Sequence, residues 1–330
     1  MHRRTWTTVL FAGLGLAVAS TSPMAQPTFV VNKPLKVVVG FPPGGSADTL
    51  ARSLVQQLDG VAPAVLVDNK PGAGGRLALE AVKNAEPDGS TVVLTPASMV
   101  VLYPHLYKKL SYNPVQDLAP VLRVAAAPFV VAVGPAVPAH VKNLADWAAW
   151  AKANPNQAAY GSSGAGSMPH FTGVSLAKSM KIDWLHVAYK GAAPAMTDLI
   201  GGQVAANIGV VVNALPHLQA GKVRALAVSG IQRSAALPQV PTMTEQGHAD
   251  ATTVEWFGLF APSKTPAPVV AALAKAFAEA SRSKVFQEAL TKGAFEPVPT
   301  ETPAAFGAAV QQDIARWGPV VKASGFTPED

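Results

Sequence analysis

Two glycine- and serine-rich loops carry most of the chemistry in this chain. One is Phe41–Ser46, inside VVVGFPPGGSADTLAR (Val37–Arg52); the other is YGSSGAGS, Tyr160–Ser167. In the first, Gly44, Gly45 and Ser46 offer backbone N–H groups and Phe41 an apolar wall, although Pro-Pro-Gly-Gly also suits a tight structural turn. In the second, Ser162, Ser163, Gly166 and Ser167 offer hydroxyls and helix-start N–H groups. That set can hold a carboxylate without a full opposing charge. A simple N-cap would need Ser167 alone. Tyr189, Gly191 and Ala192 open a further helix directly after a strand, and Thr95 and Ser98 follow another strand. Each of these can reach a ligand held between two such loops. Asp48 reads as a first-turn scaffold residue, because an acid facing a carboxylate would repel it.

Other chemistries fit poorly. GSSGAGS lacks the GxSxG spacing of a nucleophile elbow. GAGG at 72–75 is followed by Leu77 where a dinucleotide fingerprint needs glycine. His170 has no compact His, Asp or Glu cluster near it, His186 sits in a strand beside Trp184 and reads as a core or cleft-edge residue, and His217 reads as a helix residue, so neither a metal nor a cofactor is expected. Trp256, Phe257 and Phe260 read as core or hinge packing. The 330 residues contain no cysteine, which removes disulfides, thiolate sites and the lipid-bearing residue of a lipoprotein. Twenty-six basic against 20 acidic side chains is a mild excess without a basic stripe, which argues against nucleic acid.

The elements that must position these loops alternate. Strands are expected at Leu35–Phe41, Ala64–Val67 and Ser90–Leu94, with helices at Ala47–Leu58 and Leu77–Lys83 between them. Thr95–Ser98 reads as a loop, and Ser46 as the cap of its helix. A long apolar run, Leu122–Val133, leaves this unit. A second alternation follows, with helices at Val141–Ala153, Ser167–Met180 and Ala193–Ile200 and strands at Leu185–Ala188 and Arg224–Val228. Val254–Phe260 returns, and helices close the chain. The rhythm implies an α/β architecture of parallel sheet covered on both faces, in two lobes. Met1–Ala25 has the pattern of an export signal: Arg3 and Arg4, then an apolar Val9–Ala19, then small residues. The apolar run is too short to span a membrane.

Ordered segments from Lys33 to Phe326 resemble one family: KPLKVVVGFPPGGSADTLAR, VDNKPGAGG, PDGSTVVL, LYKKLSYNPVQDLAPV, YGSSGAGSMPH, HVAYKGAAPAMTDLIGGQV, ALPHLQAGKVRALAVSG, RSAALPQVPTMTEQG and WFGLFAPSKTP. The chain is identified as resembling the periplasmic solute-binding proteins of tripartite tricarboxylate transporters, the Bug family. The resemblance implies a type II periplasmic-binding-protein fold, with residues 26–130 and 255–330 in one lobe and 131–254 in the other. It implies a soluble, monomeric periplasmic protein that closes on a small organic acid and delivers it to an inner-membrane permease. A ligand sensor serving a membrane receptor is the alternative, and an exported serine hydrolase a weaker one. Many relatives carry an Asp within the segment equivalent to Asn207–Asn213, where this chain has Gly209. An acid there can hold an amino-acid ammonium, so Gly209 implies a dicarboxylate or aromatic carboxylate without an α-amine.

Overall fold

The computed structural model describes residues 31–189 and 191–327. The export-signal expectation, residues 1–25, lies outside them. β1 (Leu35–Val39) is buried at four of its five positions, as a strand covered on both faces should be. It runs through the Pro-Pro-Gly-Gly turn into α1 (Ser46–Val55), which sets Leu50 and Leu54 into the core. β2 (Val65–Asn69), α2 (Arg76–Lys83) and β3 (Thr91–Pro96) complete the first alternation, and β1 pairs in parallel with both β2 and β3. Two short helices follow, α3 (Ser98–Val101) and α4 (Tyr103–Leu106).

β4 (Leu118–Val133) then leaves as a single 16-residue strand. The second alternation comprises α5 (Leu144–Ala153), β5 (Ala159–Ser162), α6 (Met168–Met180), β6 (Leu185–Ala188), α7 (Ala192–Ile200), β7 (Ala206–Val210), α8 (Val211–Gln219) and β8 (Arg224–Val228). β5 pairs in parallel with β6 and β7. β9 (Val254–Pro262) returns, followed by α9 (Ala267–Ser281), α10 (Lys284–Lys292), β10 (Glu296–Pro297) and α11 (Pro303–Ala323).

The strands run in the order β2-β1-β3-β9-β4-β7-β5-β6, with β8 and β10 also paired to β4. The sheet is mixed, where the strand-helix rhythm alone predicts a parallel one. β1 pairs in parallel with β2 and β3, and β5 with β6 and β7, but β9 is antiparallel to both β3 and β4, and β4 is antiparallel to β7, β8 and β10. The reason is directional, since β4 leaves the first half and β9 comes back into it. The returning strand also corrects the expected loop at Thr95–Ser98. Thr95 and Pro96 extend β3 because Gly258 and Phe257 pair with them, and Ser98 opens α3.

β4 changes partner within one step. Pro128 is paired with Val254 of β9, and Phe129 with Val210 of β7. One side chain ties the two crossing points together. The buried Ser229 hydroxyl accepts the Phe129 N–H at 2.8 Å and donates to the Thr253 carbonyl. In the first half, α1, α9 and α10 bury one face of the sheet, contributing Leu54, Phe277 and Phe286. The opposite face is continuous with the core of the second half, where Trp147, Tyr160 and Phe171 pack. α7 and α8 cover the outer face there, around Met196, Leu199 and Val211.

Candidate functional site

A cavity of about 450 Å³ lies where the two halves of the sheet meet. From the first half it is lined by Phe41, Gly45, Ser46, Pro96, Ser98 and Phe257, and from the second by Ser163, Ser167, Met168, Ala192, Gly209 and Asn213. Several helices begin at its wall, among them α1 at Ser46 and Ala47, α6 at Met168 and Pro169, and α7 at Ala192. The first N–H groups of a helix lack intrahelical acceptors, and its dipole places partial positive charge there. No Lys, Arg or His lines the cavity among the described residues. The wall therefore offers an anion neutral donors and helix ends in place of a cation.

The Pro-Pro-Gly-Gly loop is held from beneath. Gly44 has φ +85°, a conformation glycine adopts without strain, and its N–H donates to the Asp48 carboxylate at 2.9 Å. Asp48 is buried and also accepts from Arg52 Nε at 2.9 Å and Asn69 Nδ2 at 2.9 Å. Burial pushes this carboxyl upward, but the bonds from Arg52, Gly44 and Asn69 outweigh it and hold it down at about 2. The Gly44 N–H is thus committed to the scaffold and Gly44 does not line the cavity, whereas Gly45 and Ser46 do. Ser46 is also not the cap the sequence predicts. Gly45 occupies that position without a side-chain bond, and Ser46 is the first helical residue.

The serine loop divides similarly. Ser163 and Ser167 line the cavity, and the Ser163 hydroxyl has no hydrogen-bond partner among the described residues. Ser167 caps α6, accepting the His170 N–H at 3.4 Å and donating to the Gly164 carbonyl at 2.6 Å. Ser162 is buried behind the wall, with its hydroxyl 2.7 Å from His186 Nε2. Gly166 (φ +74°) also lies off the wall and donates its N–H to His170 Nδ1 at 3.2 Å. The Ser162–His186 contact is not a nucleophile–base pair facing a cleft. Ser162 has no exposed surface, and the His186 ring stacks on His170, with no carboxylate orienting it among the described residues.

Tyr189, Gly191 and Thr95 do not line the cavity. The Tyr189 hydroxyl donates to Asp198 at 2.9 Å and its ring covers Gly161; burial, then Asp198, raise this phenol to about 12. Gly191 (φ +108°) donates its N–H to the Ser163 carbonyl at 3.0 Å and so positions the loop. Thr95 is buried, its hydroxyl 3.2 Å from Met99 Sδ. Ser98 and Ala192 are on the wall, as is Gly209.

The sequence reading did not single out Glu255, Asn207 or Phe129 as wall residues, and it assigned Phe257 to packing; all four line the cavity. Glu255 is buried, and one of its oxygens accepts the Ser98 N–H at 2.8 Å. Burial raises its carboxyl to about 7, against the lowering effect of the Ser98 N–H and hydroxyl. A single acid inside an apolar run reads as an edge or core residue. Its place at the cavity comes from β9 running between β3 and β4, with Ala127 of β4 opposite it.

Two α/β halves joined by crossing strands, with a cavity between them and helix ends aimed into it, define a periplasmic-binding-protein fold. Comparison with known proteins carries this further. The profile of the tripartite tricarboxylate transporter family receptors (TctC) matches residues 47–326. Protein BugT of Bordetella pertussis is 32% identical over 323 residues, covering 96% of this chain and 98% of that protein. The solved structure of Rpa4515 from R. palustris with adipate superposes with a TM-score of 0.78 at 30% identity, over 90% of this chain and 99% of that one. MatC (Rpa3494) from Rhodopseudomonas palustris with bound malate gives a TM-score of 0.73 at 31% identity, over 88% and 99%. The chain belongs to the tripartite tricarboxylate transporter receptor family, whose members are solute-binding proteins of transport systems and not enzymes. No helix among the described residues is long and apolar enough to cross a membrane.

Proposed function

We propose that this protein captures a small organic carboxylate, in the first instance a dicarboxylate, in the periplasm and delivers it to an inner-membrane permease. The observation that carries the reading is the convergence of the α1, α6 and α7 starts on one cavity with no basic side chain in its wall among the described residues. Such a site replaces the hydration of a carboxylate with N–H groups and hydroxyls. Relatives solved with adipate and malate support the dicarboxylate class. An aromatic carboxylate is a second member of the class, supported by Phe41, Phe129 and Phe257 on the wall.

In this reading residues 26–130 and 255–330 form one lobe and 131–254 the other, hinged where β4 and β9 cross. A ligand touching both walls favours the closed arrangement only to the extent that it binds that arrangement better. Residues 1–25 direct export, the mature protein is a monomer, and the closed form is what the permease recognises.

The test is calorimetric titration of protein that has been unfolded, dialysed and refolded to strip carried solute. Malate, adipate, citrate, benzoate and amino acids form the panel. Saturable one-to-one binding of a dicarboxylate is expected. Silence of the whole panel with folded protein would overturn the carboxylate reading.

A further inference from the structure

The cavity wall holds one ionisable side chain among the described residues, and it is an acid in a site proposed for an acid. Glu255 is more than nine-tenths buried. Its protein partners are the N–H and hydroxyl of Ser98, and no cation pairs with it among the described residues. An ionised Glu255 beside a bound carboxylate would put two like charges in a space that water has left. Two carboxyl groups in that position share a proton. We propose that Glu255 acts as a proton-bearing specificity residue: it donates a hydrogen bond from its protonated carboxyl to one carboxylate of the ligand, so that the site takes up a dicarboxylate together with one proton from solvent. The inference rests on the carboxylate reading of the cavity.

The basic groups on surrounding elements, with Asp48 and Asp313, are engaged elsewhere. On β4, Ala127 lies opposite Glu255, and Arg123 is paired with Glu301 at 2.8 Å. On α1, Asp48 is held by Arg52, Gly44 and Asn69. On α2, Lys83 is paired with Asp117 at 2.9 Å, Arg76 lies over the Tyr107 ring, and Glu80 is half-buried. On α11, Asp313 accepts from the Trp256 indole and Arg316 donates to the Thr252 carbonyl. β3, α3, β7 and α8 bring Thr95, Ser98, Asn207 and Asn213, which do not titrate. Glu296, across β4 on β10, is a second carboxyl raised by burial, to about 7, and is therefore the control. The proton on Glu255 is available near neutrality because burial has already raised its carboxyl to about 7.

The experiment titrates malate, adipate and L-aspartate into the full-length protein between pH 6 and pH 9, in buffers of different ionisation enthalpy, so that proton uptake is counted directly. For malate or adipate, affinity should fall about tenfold per pH unit above the folded value of Glu255, with nearly one proton taken up at pH 8. Glu255→Gln keeps a donor without titrating, so it should bind within a few-fold of wild type at pH 6 and lose both the pH dependence and the proton uptake. Glu296→Gln should change neither. Dicarboxylate binding that is flat with pH, or a pH slope that survives in Glu255→Gln, overturns the proposal and leaves the carboxylate reading standing. Preference for aspartate, strengthening with pH and abolished in Glu255→Gln, overturns it in favour of an ammonium partner. Absence of any acid binding by folded protein at every pH removes the carboxylate reading, and this inference with it.

Discussion

The imidazole rings of His170 and His186 stack at 3.9 Å and 16° directly behind the serine loop. His170 Nδ1 accepts the Gly166 N–H and His186 Nε2 meets Ser162, so the pair fixes the inner side of the wall. Burial lowers both groups from 6.5 to about 4, with the neighbouring His170 adding to the effect on His186. Both are therefore neutral in the folded state at neutral pH.

That depression predicts a pH-dependent loss of stability. Between about 6.5 and 4 the unfolded chain binds more protons than the folded one, so the contribution is complete above 6.5 and is lost as pH falls toward 4. Glu255 and Glu296, raised from 4.5 to about 7, act with the opposite sign over part of the same range. A difference measurement isolates the histidines. His186→Gln keeps a nitrogen for Ser162 without titrating. Urea denaturation at pH 7.5 and pH 5 should show wild type losing about 1 kcal/mol more than this variant, after allowing for partial exposure of the ring. Equal losses would mean that His186 titrates as it does in the unfolded chain.

Ser163 and Ser167 should separate in stability while agreeing in affinity. Ser167 caps α6, so Ser167→Ala should cost about 1 kcal/mol of folding free energy. The Ser163 hydroxyl bonds to nothing else among the described residues, and Ser163→Ala, which keeps the carbonyl that accepts the Gly191 N–H, should leave stability within about 0.5 kcal/mol. Each hydroxyl lost to a charged ligand should weaken binding by roughly 1.5–3 kcal/mol. Unchanged affinity in both variants would remove these side chains from the site, leaving the backbone donors.

Asp48 supports the opposite wall. Asp48→Asn replaces a buried carboxylate with three donors around it, and should lower folding stability by about 1–3 kcal/mol. It should weaken ligand binding too, because Gly44 is no longer pinned. The contribution is complete above about 3.8 and lost as pH falls through about 2, so wild type and variant should converge in acid. Thermal unfolding across that range checks it. A variant as stable as wild type at neutral pH would show that the loop holds its shape through Pro42 and Pro43 alone.

The parts of the site built from local signals were legible in the sequence. Gly45, Ser46, Ser167 and Ala192 sit at helix starts after strands and Ser163 in the loop between β5 and α6, and composition marks such places. Gly44, Ser162, Gly166 and Gly191 belong to the same loops but face the scaffold, a difference of one residue in turn geometry that composition does not encode. Glu255 and Phe257 were hidden for a different reason. Their place on the wall depends on β9 running between β3 and β4, strands that lie far from it in the sequence. Pro128 breaks the apolar run Leu122–Val133 in the sequence. In the fold it is the last residue of β4 paired with β9, just before the strand changes partner.

Gly209 gives the sharpest test of ligand charge. A Cβ built there comes within 3.0 Å of Asn207 Oδ1, so a side chain fits if that amide shifts slightly. Gly209→Asp adds a carboxylate to a wall that has no cation among the described residues. Repulsion of a bound dicarboxylate should then weaken binding by about 1–4 kcal/mol. Gly209→Asn introduces nearly the same bulk without the charge and should cost much less. Titration of malate or adipate into both variants at one pH separates the terms. A loss in Gly209→Asn equal to that in Gly209→Asp would mean that Gly209 is needed for room, and the dicarboxylate preference would lose its electrostatic argument at this position.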